Sequence, residues 1–192
     1  MFGVLANKHG RNFRYSETLC EILFKFFMLS TMTKKALIII DVQNYFVNEL
    51  TKSLPEKIVK HVNKTDYDFI VLTKFINKKG SNFFKLLNWK KMLSSDETEI
   101  HNSLIKFSDK KNVFAKTSYS IFKAKGLNEY LEKNKISSLY LCGINTEACV
   151  LASAFEGFDL GFDVKIIKEL CSSNSGTSLH NSALRIIEKC IE

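Results

Sequence analysis

The residue whose surroundings best suit chemistry is Cys149, which follows a short apolar run and a glycine. Residues 139–142 have the length and composition of a buried strand, and Gly143 is predicted to end it. Thr146 is a good N-cap for the helix that follows, which makes Cys149 the third helical residue. Unpaired N–H groups and the helix dipole there favour the thiolate, which is the nucleophilic form of cysteine. A small buried cysteine at a helix start is the alternative interpretation.

Two further polar residues stand at the ends of predicted strands. Residues 36–40 form an Ile-rich run typical of a strand buried on both faces of a parallel sheet, and Asp41 ends it. Lys116 ends the predicted strand 112–116 in the same way. Because open α/β sheets bind ligands at the carboxyl ends of their strands, both residues are expected to meet Cys149 there. Asp41 would carry the thiol proton and Lys116 would stabilise negative charge, although Asp41 could instead simply cap its loop.

Strand and helix patterns alternate along the chain, which predicts βαβ units. The predicted strands are 36–41, 69–73, 112–116, 139–142 and 164–167. The predicted helices are 55–63, 83–87, 125–134, 146–158 and 177–191, with a weaker helical pattern over 96–105. We therefore expect an α/β protein with a three-layer α/β/α, Rossmann-like fold around a mainly parallel sheet of five to six strands.

Residues 1–33 differ from the rest of the chain, and we assign the domain to 34–192. The apolar stretch 19–29 is interrupted by Glu21 and Lys25, whereas a transmembrane helix needs about 20 predominantly apolar residues. A clear cleavage site of small residues, as in a signal peptide, is lacking. We interpret Met32 as the natural start and expect the preceding extension to be poorly ordered, with a peripheral amphipathic helix as the alternative.

Charge and cysteine content exclude several classes of function. The net charge is +8, but the lysines are scattered, whereas a nucleic-acid binder gathers them into a patch; we expect no specific nucleic-acid partner. The five cysteines show no CxxC spacing, so neither a disulfide framework nor a zinc knuckle is expected. Reduced thiols are typical of a cytoplasmic protein. These cysteines are Cys20, Cys142, Cys149, Cys171 and Cys190.

Four stretches together resemble the isochorismatase-like cysteine hydrolases, which include nicotinamidases, N-carbamoylsarcosine amidases and ureidoacrylate amidohydrolases. They read LIIIDVQN (37–44), KTSYSIF (116–122), GINTEACV (143–150) and GFDV (161–164). The resemblance covers about residues 34–187. It implies that Asp41, Lys116 and Cys149 form the Asp-Lys-Cys catalytic triad of that family.

The resemblance also implies how the turn before Cys149 is built. The peptide bond between Ile144 and Asn145 is expected to be cis, which directs the N–H of Asn145, together with that of Cys149, into an oxyanion hole. Asn145 replaces a residue that is commonly small in this family, so it would either crowd the pocket or offer it a polar contact.

A substrate pocket and the sheet order follow from the same resemblance. Phe46, Phe75 and Tyr119 are expected to line an apolar pocket, whereas we place Trp89 in the core. The family sheet order is 3-2-1-4-5-6, but the chain ends soon after the last helix. The sixth strand is therefore expected to be absent, leaving strand five at an edge that a partner could cover. We expect a homo-oligomer.

Metal ligands are where the sequence departs from nicotinamidases, which place an Asp-x-His and further His residues after strand two. Here residues 73–80 read TKFINKKG and contain no His, so neither metal nor other cofactor is expected. The sequence predicts a hydrolase that cleaves a small amide-type C–N bond through a Cys149 thioester. A metal-dependent nicotinamidase and a non-catalytic binding or assembly module are the alternatives, and the identity of the small-molecule substrate stays open.

Overall fold

The computed structural model of the protein describes residues 33–191, so the prediction of an N-terminal extension concerns residues outside that range, apart from Thr33. The strands are β1 (Lys34–Ile40), β2 (Phe69–Phe75), β3 (Val113–Lys116), β4 (Ile136–Ile144) and β5 (Asp163–Ser172). The longer helices are α1 (Leu54–Val62), α2 (Leu127–Lys133), α3 (Leu151–Asp159) and α4 (Thr177–Cys190). Shorter helical segments are Asn82–Lys85, Ser95–Thr98, Asn102–Phe107, Ile121–Lys123 and Thr146–Val150.

The strands form one five-stranded sheet in the order β3-β2-β1-β4-β5, with every neighbouring pair parallel. Residues 36–40 of the central strand β1 are at most 1% exposed. Both faces of β1 are therefore covered, as a parallel sheet flanked by helices requires. The predicted α/β fold with a parallel sheet is confirmed, with five strands between residues 33 and 191.

Strands β2, β4 and β5 run past their predicted ends. Gly143 does not end β4 but lies within it at φ 128°, where an added Cβ would stand 2.1 Å from the carbonyl oxygen of Ile40. Only glycine permits this close approach of β4 to β1. Beyond a register shift, β5 pairs Cys171 with Gly143, which extends β5 to Ser172. Strand ends set by contacts of this kind leave no local signal in sequence.

The helix predicted over 96–105 is wrong. A single helical turn, Ser95–Thr98, is followed by an extended segment and then by a 3-10 helix, Asn102–Phe107. The helix is interrupted because Ile100 forms an antiparallel bridge with Gln43, which requires extended backbone. This bridge fastens the segment beside the end of β1.

Within residues 33–191, no helix combines the length and the apolar character needed to cross a membrane.

Candidate active site

Three strand ends place the predicted catalytic residues together. Asp41 directly follows β1, Lys116 is the last residue of β3, and Cys149 lies in the helical turn Thr146–Val150 that follows β4. The Lys116 Nζ atom is 2.6 Å from the Asp41 Oδ2 atom and 3.3 Å from the Cys149 Sγ atom. All three residues are buried. The structure thus forms one cluster of a carboxylate, an ammonium group and a thiol.

The Asp41 carboxylate is fixed by strand β2. The Thr73 hydroxyl donates to Asp41 Oδ1 at 2.7 Å, and the Asp41 N–H donates to Thr73 Oγ1 at 3.3 Å. Asp41 has φ 52°, a left-handed conformation that Asp tolerates better than most residues. Its Oδ2 oxygen is paired with the Lys116 ammonium at 2.6 Å, which occupies one of its two lone pairs. That oxygen therefore keeps a lone pair with which to accept a proton.

The Lys116 ammonium has several partners in the interior. It donates to the Ser118 carbonyl at 2.8 Å and lies 5.2 Å from the centre of the Phe75 ring, which is a cation–π contact. Burial alone would lower the pKa of Lys116, but its interactions with the Asp41 carboxylate and with Cys149 outweigh burial and raise this pKa above its ordinary value. Lys116 is therefore cationic at neutral pH.

The protonation of Cys149 differs from the expectation drawn from its helix-start position. Burial raises the pKa of the Cys149 thiol far above its ordinary range, Asp41 raises this pKa further, and Lys116 offsets only part of the increase. The resting residue is consequently a thiol rather than a thiolate. This direction opposes the thiolate expected from the helix start, because burial disfavours the charged form of the thiol.

The helical turn that contains Cys149 begins one residue earlier than predicted. Asn145, in extended conformation, precedes the helical turn, so Cys149 is the fourth helical residue and Thr146 is the first. The Thr146 hydroxyl does not cap the helix but is hydrogen-bonded to His180 Nδ1 on α4 at 2.8 Å. The Asn145 carbonyl accepts the N–H groups of Ala148 and Val150, on either side of Cys149.

The peptide bond between Ile144 and Asn145 is cis, at the position that the resemblance implied. The Asn145 side chain is tied to the loop after β5, because its Oδ1 atom accepts the Asn174 N–H at 2.9 Å. The Oδ1 atom is therefore engaged by the protein's own backbone, while Asn145 also lines the pocket described next.

Cys149 opens onto a pocket of about 370 Å³, within the range of a small-molecule site. The pocket is lined by the aromatic side chains Phe46, Phe75, Phe83, Trp89 and Tyr119. Three of these, Phe46, Phe75 and Tyr119, are the predicted lining residues. Trp89, for which the sequence favours a place in the core, is half-buried and faces the pocket, and Phe83 has no signal in the sequence. Phe83 packs between two other rings of the pocket wall, since its ring centre lies 4.8 Å from that of Phe75 and 4.8 Å from that of Tyr119.

The remaining pocket wall comes from the turn around Cys149 and from the loop after β5. Asn145, Glu147, Ala148 and Ser175 line it together with Leu87. Glu147 Oε1 accepts the Ser173 hydroxyl at 2.7 Å, and the Ser173 oxygen in turn accepts the Ser175 N–H at 3.0 Å. The sequence signal for Glu147 is its spacing: it lies two residues before Cys149 on the same helical turn, which places it near the pocket.

The Gln43 amide, quoted above only as part of a motif, positions the end of β2. Its Nε2 atom donates to the carbonyls of Phe75 and Thr98, and its Oε1 atom accepts the Phe75 N–H at 2.7 Å. Gln43 is fully buried, so these bonds satisfy a side chain that would otherwise destabilise the fold. Gln43 thereby sets the position of the Phe75 ring between the pocket and Lys116.

Thr73→Val removes the donor to Asp41 with almost no change in side-chain shape. Hydrogen bonds to charged groups contribute about 1.5–3 kcal/mol, so we expect a lower free energy of unfolding and a roughly tenfold lower kcat. Urea unfolding and steady-state kinetics measure both quantities. The matched control is Thr98→Val, another buried threonine, whose hydroxyl bonds only its own helical turn at Ser94 and Ser95. Equal kcat values for the two variants would contradict a role of Thr73 in positioning Asp41.

The loop after β2 does not fit the metal site of nicotinamidases. Asn77 has no free ligating atom, because its Nδ2 atom donates to the carbonyls of Trp89 and Lys91 and its Oδ1 atom accepts Lys78 N and Ser81 Oγ. Across residues 33–191, no three His, Cys, Asp or Glu side chains are grouped so as to hold a metal ion. The residues present do not provide that site.

The chain is similar in sequence to known proteins of one family. The chain is 36% identical over 62 residues to Isochorismatase domain-containing protein 2 of Xenopus laevis, a match that spans 32% of this chain and only 30% of that protein. It is 28% identical over 159 residues to an uncharacterized isochorismatase family protein, PncA, of Bacillus subtilis (strain 168), covering 73% of this chain and 87% of that protein.

A solved structure and a family model complete the comparison. The fold matches that of the nicotinamidase PncA from Bacillus subtilis with a TM-score of 0.67 at 24% identity, over 83% of this chain and 97% of that one. The family model of the Isochorismatase domain matches residues 35–192. Because this match spans most of the chain, the chain belongs to the isochorismatase family of hydrolases.

Proposed function

We propose that the protein hydrolyses a small amide-type C–N bond through a thioester on Cys149. The observation that carries the proposal is the position of the Lys116 ammonium, 2.6 Å from the Asp41 carboxylate and 3.3 Å from the Cys149 sulfur, where Cys149 lines the pocket. A nucleophile, a proton acceptor and a fixed positive charge meet there at one apolar cavity. A non-catalytic module would have no need to bury these three ionisable groups together.

Attack begins from the neutral thiol. As the sulfur approaches the substrate carbonyl carbon, the thiol proton passes to the Asp41 carboxylate and the S–C bond forms. The carbonyl oxygen becomes an oxyanion, which the N–H groups of Asn145 and Cys149 are proposed to bind. Lys116 remains charged throughout and stabilises the developing negative charge. The raised pKa of Cys149 therefore makes proton transfer to Asp41 a required part of the step.

Release of the two products uses the same proton carrier. Protonated Asp41 donates its proton to the leaving nitrogen as the C–N bond breaks, which frees the amine or ammonia and leaves a thioester. Asp41, again a carboxylate, then takes a proton from water, whose oxygen attacks the thioester carbonyl. Collapse of that intermediate releases the carboxylic acid, and the proton returns to the Cys149 sulfur.

A screen of small primary amides and ureido acids, measured by ammonia release, tests the proposal. Nicotinamide belongs in the screen because a structurally similar protein is a nicotinamidase. We expect saturable hydrolysis of at least one compound, with covalent acylation of Cys149 detectable by mass spectrometry after rapid acid quench. If the folded protein hydrolyses none of these compounds and none of them acylates Cys149, the non-catalytic alternative is favoured. A cytoplasmic location and a homo-oligomer stay predictions.

Chelation distinguishes this mechanism from that of a metal-dependent nicotinamidase. Because the loop after β2 provides no His ligands and Asn77 is fully hydrogen-bonded, we expect kcat to stay within about twofold after dialysis against EDTA. Steady-state kinetics before and after dialysis provide the measurement. Loss of activity that zinc restores would show that ligands come from elsewhere in the chain.

A further inference from the structure

Glu147 is a charged residue of the pocket wall that the mechanism above does not use. Its Oε1 atom accepts the Ser173 hydroxyl at 2.7 Å, whereas its Oε2 atom is buried and has no hydrogen-bond donor from residues 33–191. A buried carboxylate oxygen without a donor is destabilised unless something else satisfies it. The terminal torsion of Glu is broad, so a small rotation can turn this oxygen towards a molecule in the pocket.

The pocket wall has only one charge sign. Among the described residues that line it, Glu147 is the charged one, and the others are aromatic, aliphatic, amide, hydroxyl or thiol groups. The nearby cation, Lys116, is already paired with Asp41 at 2.6 Å. With Cys149 protonated, Asp41 and Lys116 cancel, and the site carries the net negative charge of Glu147.

A carboxylate surrounded by aromatic rings is typical of a binding site for an organic cation. The negative faces of aromatic rings attract ammonium-type groups, and a desolvated site strengthens that attraction. At this site the protein already makes such a contact, between Lys116 and the Phe75 ring at 5.2 Å. A carboxylate on the substrate would instead meet Glu147 in a pocket lined mainly by apolar side chains, where like charges repel more strongly than in water.

The same charge balance affects the chemical step. Attack of the sulfur creates an oxyanion in the pocket that Glu147 also lines, so the Glu147 carboxylate would oppose it by repulsion. A positive group on the substrate neutralises Glu147 before the oxyanion forms, so it stabilises the transition state as well as the bound substrate. Neutral substrates lack this compensation, and anionic substrates add to the repulsion.

We propose that Glu147 is a specificity-determining residue that selects amides bearing a second, positively charged nitrogen, with the aromatic wall surrounding that nitrogen. The preference among substrates rests on the proposed amide hydrolysis, whereas the preference in binding does not depend on that reaction. It narrows the substrate class from small amides in general to cationic ones, and it disfavours ureido acids.

Three amides of similar shape test the preference: 1-methylnicotinamide as cation, benzamide as neutral compound and 3-carbamoylbenzoate as anion. For the full-length protein, we expect kcat/KM for the cation to exceed that for benzamide by at least about tenfold, with the anion lowest. Glu147→Gln keeps an oxygen that can accept the Ser173 hydroxyl and removes the charge. It should bring the cation and benzamide to within about twofold of each other without a change in melting temperature. The matched control is Glu129→Gln, an exposed residue of α2, which should leave the preference unchanged.

Binding to the Cys149→Ala variant separates failure of this inference from failure of the proposed reaction. Calorimetric titration should give a Kd for 1-methylnicotinamide at least about tenfold lower than that for benzamide, and the added Glu147→Gln change should abolish the difference. Hydrolysis of amides with benzamide or the anion preferred, or with the preference intact in Glu147→Gln, overturns the inference and leaves the reaction standing. Charge-selective binding without any hydrolysis supports the inference and overturns the reaction.

Discussion

Cys149→Ala is expected to abolish hydrolysis, lowering kcat by at least about 10⁴-fold, because the group that forms the covalent bond is removed. The Cys149 side chain lies at the pocket wall and packs against Lys116, so its loss leaves the fold intact while it removes the reaction. Ammonia release under single-turnover conditions measures the residual rate, and circular dichroism shows that the variant is folded.

Two other buried cysteines provide matched controls. Cys142 lies in β4 and Cys171 in β5, so both are strand residues, unlike Cys149. Burial raises the pKa of Cys142 as well, which means that a raised thiol pKa alone does not mark the nucleophile. Cys142→Ala and Cys171→Ala should retain most of the activity, with some loss of stability. Substantial turnover by Cys149→Ala, or its loss only in one of the controls, would contradict the assignment of the nucleophile.

The parallel sheet is predictable from sequence because its central strand must be apolar throughout. Residues 36–40 are buried on both faces, so the run ends sharply at the first polar residue, Asp41. Lys116 is recognisable for the same reason, although β3 is shorter. When each chemical group is the first polar residue at a strand end, topology alone brings the groups to one edge of the sheet.

Residues that act through contacts across the fold carry no such signal. Thr73 looks like any polar residue of a strand, and only the neighbouring position of β1 places its hydroxyl 2.7 Å from Asp41. Phe83 reaches the pocket from a short helical turn, Asn82–Lys85, by packing on Phe75. The hydrophobic pattern of such a segment predicts its secondary structure, but it does not show which other part of the fold its side chains contact.

The protonation state of Cys149 shows the same limit for electrostatics. Its place at a helix start is readable from sequence, and the dipole there favours a thiolate. Burial and the carboxylate of Asp41, more than 100 positions away in the chain, raise the pKa of the thiol and so act in the opposite direction. The sign of a pKa shift depends on the sum of all neighbours, so one local feature does not decide it.

Lys116 and Asp41 are expected to have opposite effects on the reactivity of Cys149, although loss of either one should destroy turnover. Lys116 is the neighbour that lowers the pKa of the thiol, so Lys116→Ala should raise this pKa further. Asp41 is one of the groups that raise it, so Asp41→Asn should lower the pKa and leave a thiolate paired with the Lys116 ammonium. Asp41→Asn nevertheless loses the proton carrier, and its kcat should fall by at least about 10²-fold.

Alkylation by iodoacetamide at different pH values measures these pKa changes directly, because only the thiolate reacts. Wild-type Cys149 should react slowly at neutral pH and faster as the pH rises. The whole profile should move to higher pH in Lys116→Ala and to lower pH in Asp41→Asn. Mass spectrometry of the peptide that contains Cys149 separates its modification from that of the exposed Cys190.

The stability of the variants must be measured alongside, since removing one partner of a buried ion pair typically costs about 3–5 kcal/mol. Lys116→Met serves as a second variant, because it keeps an unbranched side chain of similar length and removes the ammonium with its charge and hydrogen bonds. If Asp41 and Lys116 were merely structural, both losses would loosen the fold and speed alkylation of every cysteine, with a lower melting temperature. Opposite shifts confined to Cys149 in folded protein require all three groups to share one electrostatic site. An unchanged pH profile in a folded Lys116→Met variant would place Lys116 away from the nucleophile and end the proposed mechanism.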